Sequence, residues 1–147
     1  GPDLLPALLD PHSPLPLVLA RERCPLLPGV VHVAPSGYHL EVERDRRFSL
    51  SADARVCYSR PSIDVLFMSA AAAYGADLAG VVLSGASDDG AAGLQTIRDL
   101  GGLALVQTPT DAEIVTMPAA ALARAGADFC APLADLARRI NAFARGR

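Results

Sequence analysis

Val81-Val82-Leu83-Ser84-Gly85-Ala86-Ser87-Asp88-Asp89-Gly90-Ala91-Ala92-Gly93-Leu94 decides how this chain is read. Residues 80–83 form a short apolar run bounded by glycines, the pattern of a strand buried on both faces. At Ser84 the run turns small and polar and passes two adjacent acids. It then becomes helical, with Leu94, Ile97 and Leu100 at helical spacing until Gly101-Gly102 stops them. A strand, a tight polar turn and a helix N-terminus mark the place in an open parallel sheet where ligands and catalytic side chains gather.

Asp88 and Asp89 have two readings at this point. Asp is a favoured N-cap, and acids in a first helical turn suit the helix dipole. One acid is enough to cap, so the second invites another role. An Asp at a strand end is placed to orient a histidine, and the peptide N–H groups of such a turn are placed to stabilise an oxyanion.

Composition bounds the remaining choices. The chain has 147 residues, 51% hydrophobic and 20% charged, which predicts one folded domain with a sizeable core. All 13 basic residues are arginines and the net charge is −3, with no basic stripe interleaved with aromatics. Nucleic-acid binding is therefore not expected. Cys24, Cys57 and Cys130 are odd in number, far apart and in no C-x-x-C pair. That pattern predicts neither a zinc site nor a redox pair, and a reducing compartment. No apolar run reaches the length of a membrane span and the start lacks a signal peptide's order, so the expected setting is cytoplasmic.

Along the chain, Leu4, Leu5, Leu8 and Leu9 predict a short amphipathic helix, and His12 falls in a Pro/Ser-rich loop. Residues 15–20 and 30–34 read as strands, and residues 21–28 fit no regular element. Residues 38–50 read as a β-hairpin bent at Arg44-Asp45-Arg46, with His39 a strand histidine holding a local partner. Ser62 caps a helix that carries Ile63, Leu66, Phe67, Ala70 and Tyr74 on one face and ends at Gly75. Residues 103–107 form another buried strand. Thr110-Asp111-Ala112-Glu113 has capping-box spacing, and Met117-Pro118 interrupts before an alanine-rich helix running to Gly126. A last strand over 128–131 precedes a closing helix bearing Leu133, Leu136, Ile140 and Phe143. Alternation of strands and helices from residue 78 onward predicts a doubly wound, mostly parallel α/β sheet with the hairpin inserted. The turn between Gly85 and Gly90 is neither a Walker nor a G-x-G-x-x-G fingerprint, which disfavours a nucleotide-binding domain.

Several blocks resemble, in the right order, the catalytic domain of the chemotaxis protein-glutamate methylesterases (CheB type). The stretch from Val82 to Leu94 resembles the family's ILTGMGxDGAxGL. Arg60-Pro61-Ser62-Ile63-Asp64-Val65-Leu66-Phe67 is similar to RPSVDVLF, and Pro28-Gly29-Val30-Val31-His32-Val33-Ala34-Pro35 followed by His39 to PGxVYIAPxxxH. Gly102 to Gln107 and Met117-Pro118 resemble GGxxIAQ and GMP. The resemblance implies hydrolysis of receptor glutamate methyl esters, and deamidation of receptor glutamines, by a Ser-His-Asp triad without metal or organic cofactor. It places the family aspartate on Asp89 and the oxyanion-binding peptide N–H on Ala86, where the family has Met. Ser87, Asp88 and His39 fall beside the implied substrate loop. Methylated chemoreceptors are the implied partners, and regulated members also carry a phosphorylation-controlled receiver domain.

Two departures accompany this. Gly1-Pro2 resembles the tail of the family's nucleophile turn, which puts the serine and its strand upstream. After residues 15–20 the chain runs into Arg21-Glu22-Arg23, and the family's histidine and the helix and strand behind it do not follow. None of His12, His32 or His39 matches that histidine. The 147 residues thus read as a single methylesterase-like domain lacking its first strand and a segment after residue 20, with one triad member of three. On their own, these 147 residues are not expected to hydrolyse anything. The alternative is an inactive domain of the same fold that binds receptors or pathway partners.

Overall fold

A computed structural model of the chain describes residues 15–146. The amphipathic segment predicted near Leu4 and the loop at His12 lie outside them. Among the described residues, seven strands and four α-helices follow in the order β1 (Leu17–Leu19), β2 (Val31–Val33), β3 (His39–Val42), β4 (Phe48–Ser51), α1 (Ile63–Tyr74), β5 (Ala79–Val82), α2 (Ala91–Asp99), β6 (Leu103–Gln107), α3 (Thr116–Arg124), β7 (Phe129–Ala131) and α4 (Leu133–Arg145).

The C-terminal half is a parallel β5-β6-β7 sheet built from consecutive strand–helix steps. Strand β6 is its centre. Ala104 and Val106 face the cluster formed by Val82, Leu94, Ile97 and Ala121, and alternation turns Leu105 to the other face. Helices α2 and α3 pack against β5 and β6, and α4 packs against β6 and β7. Full burial of side chains such as Leu94 and Ile97 stabilises this half by about 1.5–3 kcal/mol each. Strands β1 and β2 form a separate parallel pair and β3–β4 the expected antiparallel hairpin, closed through Arg44-Asp45-Arg46. The α/β class, the parallel sheet and the hairpin are those read from the sequence.

Helix α1 lies between two cores. Ala71 belongs to the cluster under the parallel sheet, whereas Ala70 belongs to a second one with Ala20, Leu40, Val42 and Phe48. The single apolar face read from the sequence is therefore too narrow, because small alanines let a second face pack as well. Ser62 caps α1 through Val65 N–H, and Gly75 ends it at φ +53° as expected.

Two sequence expectations are corrected here. The capping-box spacing at Thr110 to Glu113 starts no α-helix: Pro109–Asp111 is a 3-10 turn, and Asp111 turns its carboxylate to Gln107 Nε2 and the Leu133 N–H. Met117-Pro118 does not interrupt a helix but sits in the first turn of α3. Proline is tolerated there because a first-turn N–H has no intrahelical acceptor to lose.

Candidate active site

The site is built where two helices meet at their N-termini. Helix α2 crosses α1 closely at Gly93, where a Cβ would come within 2.6 Å of Phe67 Cβ and 3.1 Å of Asp64 Cα. Gly90, the N-cap of α2, holds φ +100°, a conformation open to glycine and strained for other residues. It supplies no side chain to cap α2, so the orphan amides at that end need an acceptor from elsewhere.

Asp64 provides it. Its Oδ1 accepts the Gly90 N–H at 2.9 Å and the Gly93 N–H at 2.7 Å. Asp89 does the same for α1: Oδ2 accepts the Ile63 N–H at 2.7 Å, and Oδ1 accepts the Asp64 N–H and the Ser62 hydroxyl, each at 2.9 Å. Asp89 is a cap after all, but of the other helix. With only 2% of its surface exposed, its charge is sustained by these donors and by the α1 dipole. An ionised carboxylate offers about four acceptor positions. Among the described residues, Oδ1 has both of its own filled and Oδ2 keeps one open.

His39 stands behind this arrangement. It is buried, its Nδ1 accepts the Ser62 N–H at 3.2 Å, and Nε2 lies 2.8 Å from the Ala54 carbonyl. Those partners fix the proton on Nε2, so a neutral ring ties residue 54 to the head of α1. Ser87 is half-buried and its hydroxyl accepts the Asp89 N–H, while Asp88 is exposed.

The turn carrying Ala86 is clamped on its other side. Gln107, buried at the end of β6, accepts the Ser84 N–H at 2.9 Å, Ser84 Oγ accepts the Ile114 N–H, and Gly85 bonds the backbone of Ile114 and Met117. Ala86 itself is exposed, and among the described residues no acceptor takes its N–H. The turn therefore presents a fixed, free donor a few residues from a buried carboxylate.

Cys57 closes the cluster from the loop before α1. Its Sγ is 3.8 Å from Asp64 Oδ2, and burial, followed by the negative charges of Asp88 and Asp64, pushes the thiol up to about 11. Cys57, Asp64 and Asp89 bring one potential ligand atom each within 4.8 Å of one another. Each of the four carboxylate oxygens already accepts at least one N–H, O–H or S–H donor, and a protonated thiol is a poor ligand, so the cluster reads as a hydrogen-bonded network. Cys57 and Tyr58 both adopt positive φ, +50° and +64°, at a cost of about 1–3 kcal/mol each for side chains of this kind.

The sequence singled out Asp89 and Ala86 but missed Asp64, Cys57 and the second task of Ser62. Asp64 stands two residues after an N-cap, where an acid looks like an ordinary first-turn residue; nothing in its spacing points to a helix 26 positions on.

A model of the CheB methylesterase family matches residues 2–140. The chain belongs to the CheB methylesterase family. A relative from Leptospira interrogans is 48% identical over 118 residues, 80% of this chain and 61% of its own length. The protein-glutamate methylesterase/protein-glutamine glutaminase of group 3 operon from Rhizobium meliloti is 37% identical over 145 residues, 99% of this chain and 41% of that one. The chain thus spans about 61% or less of the length of these CheB relatives. The solved catalytic domain of the Thermotoga maritima CheB methylesterase superposes with a TM-score of 0.80 at 22% identity, covering 87% of this chain and 68% of that one. At that identity the likeness shows the fold.

Proposed function

We propose that the full-length protein is a serine-type hydrolase of glutamate methyl esters, and of glutamine amides, on chemoreceptors in the bacterial cytoplasm. The observation that carries this is the Asp89 carboxylate: buried, immobilised by three donors, and, among the described residues, with one acceptor position open on Oδ2 and an Ala86 N–H without an acceptor close by in the chain. In the reaction a serine oxygen attacks the ester carbonyl, a histidine takes the serine proton and returns it to the leaving methanol, and water then releases the acyl group. Asp89 accepts the imidazole N–H and stays ionised, and Ala86 N–H donates to the oxyanion. This sequence does not carry the serine and histidine at the family positions, so the reading concerns the whole protein.

The relatives support it by name, several being protein-glutamate methylesterase/protein-glutamine glutaminases. Among the described residues no helix is long and apolar enough to cross a membrane, which suits a catalyst working on the part of a receptor that it can reach from water.

A second reading, an inactive receptor-binding domain, is favoured by one observation: neither described histidine, His32 or His39, hydrogen-bonds Asp89, and both ring nitrogens of His39 are engaged elsewhere. Methanol release from methylated receptor by the full-length protein separates the two. Release that falls on the order of 10⁴-fold in Asp89→Asn is expected for the hydrolase. No release above background from folded protein would leave the binding reading.

A further inference from the structure

We propose that Tyr58 is a substrate-contact residue, a fixed aromatic tip at the rim of the site against which the polypeptide around the scissile group docks. This rests on the reading that esters are cleaved beside Asp89 and Ala86.

Val56 and Ser59 exchange both backbone hydrogen bonds, at 3.0 and 2.9 Å, and so close a two-residue turn over Cys57 and Tyr58. With both central residues at positive φ, this is the kind of turn that ordinarily takes Asn-Gly. Here it takes two side chains that the conformation disfavours. Nothing in the fold repays the tyrosine, because its side chain is 96% exposed.

The base of the turn is nonetheless held in place. Arg60 Nη1 donates to the carbonyls of Ala52 and Asp53 at 3.0 and 3.2 Å, and His39 holds the Ala54 carbonyl at 2.8 Å. Cys57 is drawn in between Asp64 and Asp88, and Asp88 is two residues from Ala86. A strained turn, tethered at its base and anchored through Cys57 on the acids of the site, therefore presents a tyrosine ring to water. Strain retained at such a point, with no packing to justify it, points to use in binding. A rigid, amphipathic ring costs little entropy to dock, and tyrosine is enriched among residues that dominate interfaces. The occupant is the receptor polypeptide that carries the esterified glutamate.

The test uses the full-length protein and its Tyr58→Gly and Tyr58→Phe variants, assayed on methylated receptor and on a small N-acylated glutamate γ-methyl ester. Tyr58→Gly relieves the positive φ, so its Tm is expected to rise. Its KM for receptor is expected to rise tenfold or more with kcat within twofold, and its kcat/KM to fall further on receptor than on the small ester. Tyr58→Phe keeps most of the affinity. An unchanged KM for receptor in Tyr58→Gly overturns the proposal. Wild-type protein that releases no methanol sinks the hydrolase reading alone. Receptor binding by titration calorimetry then decides on Tyr58: tenfold weaker in Tyr58→Gly supports it, and an unchanged Kd, or no receptor binding by the wild type, overturns it.

Discussion

Asp64 and Asp89 each accept the leading amides of the helix that carries the other: Asp89 holds Ile63 and Asp64 N–H at the start of α1, and Asp64 holds Gly90 and Gly93 N–H at the start of α2. Both carboxylates are buried, and each sits where the partner helix dipole is positive. The exchange locks the residue proposed to orient the imidazole without using its last acceptor position. It also makes the two acids one energetic unit.

Asp64→Ala leaves two enclosed amides unpaired, which is expected to cost roughly 2–5 kcal/mol in urea unfolding at neutral pH. Asp89→Ala should do likewise for α1. Because each acid holds the backbone from which the other projects, the double variant should lose less than the sum, with a coupling of about 1 kcal/mol or more. Losses that add to within about 0.5 kcal/mol would show the two caps to be independent.

Gly93→Ala tests the crossing on which the exchange depends. The new methyl meets Phe67 Cβ and the Asp64 backbone, so α2 must move off α1 at an expected cost of about 1–3 kcal/mol. Amide exchange at Gly90 and residue 93 should accelerate as their bonds to Asp64 lengthen. An unchanged urea midpoint would contradict the packing described.

Cys57 gives a prediction in alkali. Its folded thiol titrates at about 11 against an ordinary 9.0, so the folded state binds the proton more tightly than the unfolded one. The resulting stability is whole below pH 9 and drains away as pH rises towards 11. In a Cys24→Ser, Cys130→Ser background, alkylation of Cys57 should stay slow at pH 9 and climb only nearer 11. Cys57→Ala should flatten the alkaline fall of unfolding free energy. Rapid alkylation at pH 9 would refute the protonated thiol.

Asp111 gives one in acid. Hydrogen bonds from Gln107 and from the Leu133 backbone hold its carboxyl below the ordinary 3.8. Its contribution is therefore present above that value and is lost as pH falls through the lower folded one. The stability gap between wild type and Asp111→Asn should be constant at neutral pH and narrow below pH 4. A gap independent of pH would mean that the interaction does not depend on the charge.

What the sequence disclosed follows from the range of the forces involved. Ser62 and Gly75 bracket α1 because an N-cap and a stop act within one turn, and Leu103–Gln107 is evident because a central strand is apolar on both sides. Asp89 and Ala86 were singled out through a family pattern, not through their surroundings. The capping-box spacing at residues 110–113 misled because Asp111 finds better donors in Gln107 and Leu133 than in a helix of its own. The task of Asp64 was hidden for a similar reason, since its partners lie far along the chain and only the close crossing at Gly93 brings them in.

That separation also sets an order of assembly. The ribosome delivers α1 before β5 and α2, so the amides of Ile63 and Asp64 leave the exit tunnel some 25 residues ahead of the carboxylate that will hold them. Until Asp89 arrives, the head of α1 has only the Ser62 hydroxyl and water to turn to. The corner where Asp64 and Asp89 exchange helix caps can therefore exist only once translation has passed α2, and a nascent chain arrested earlier would carry a frayed α1.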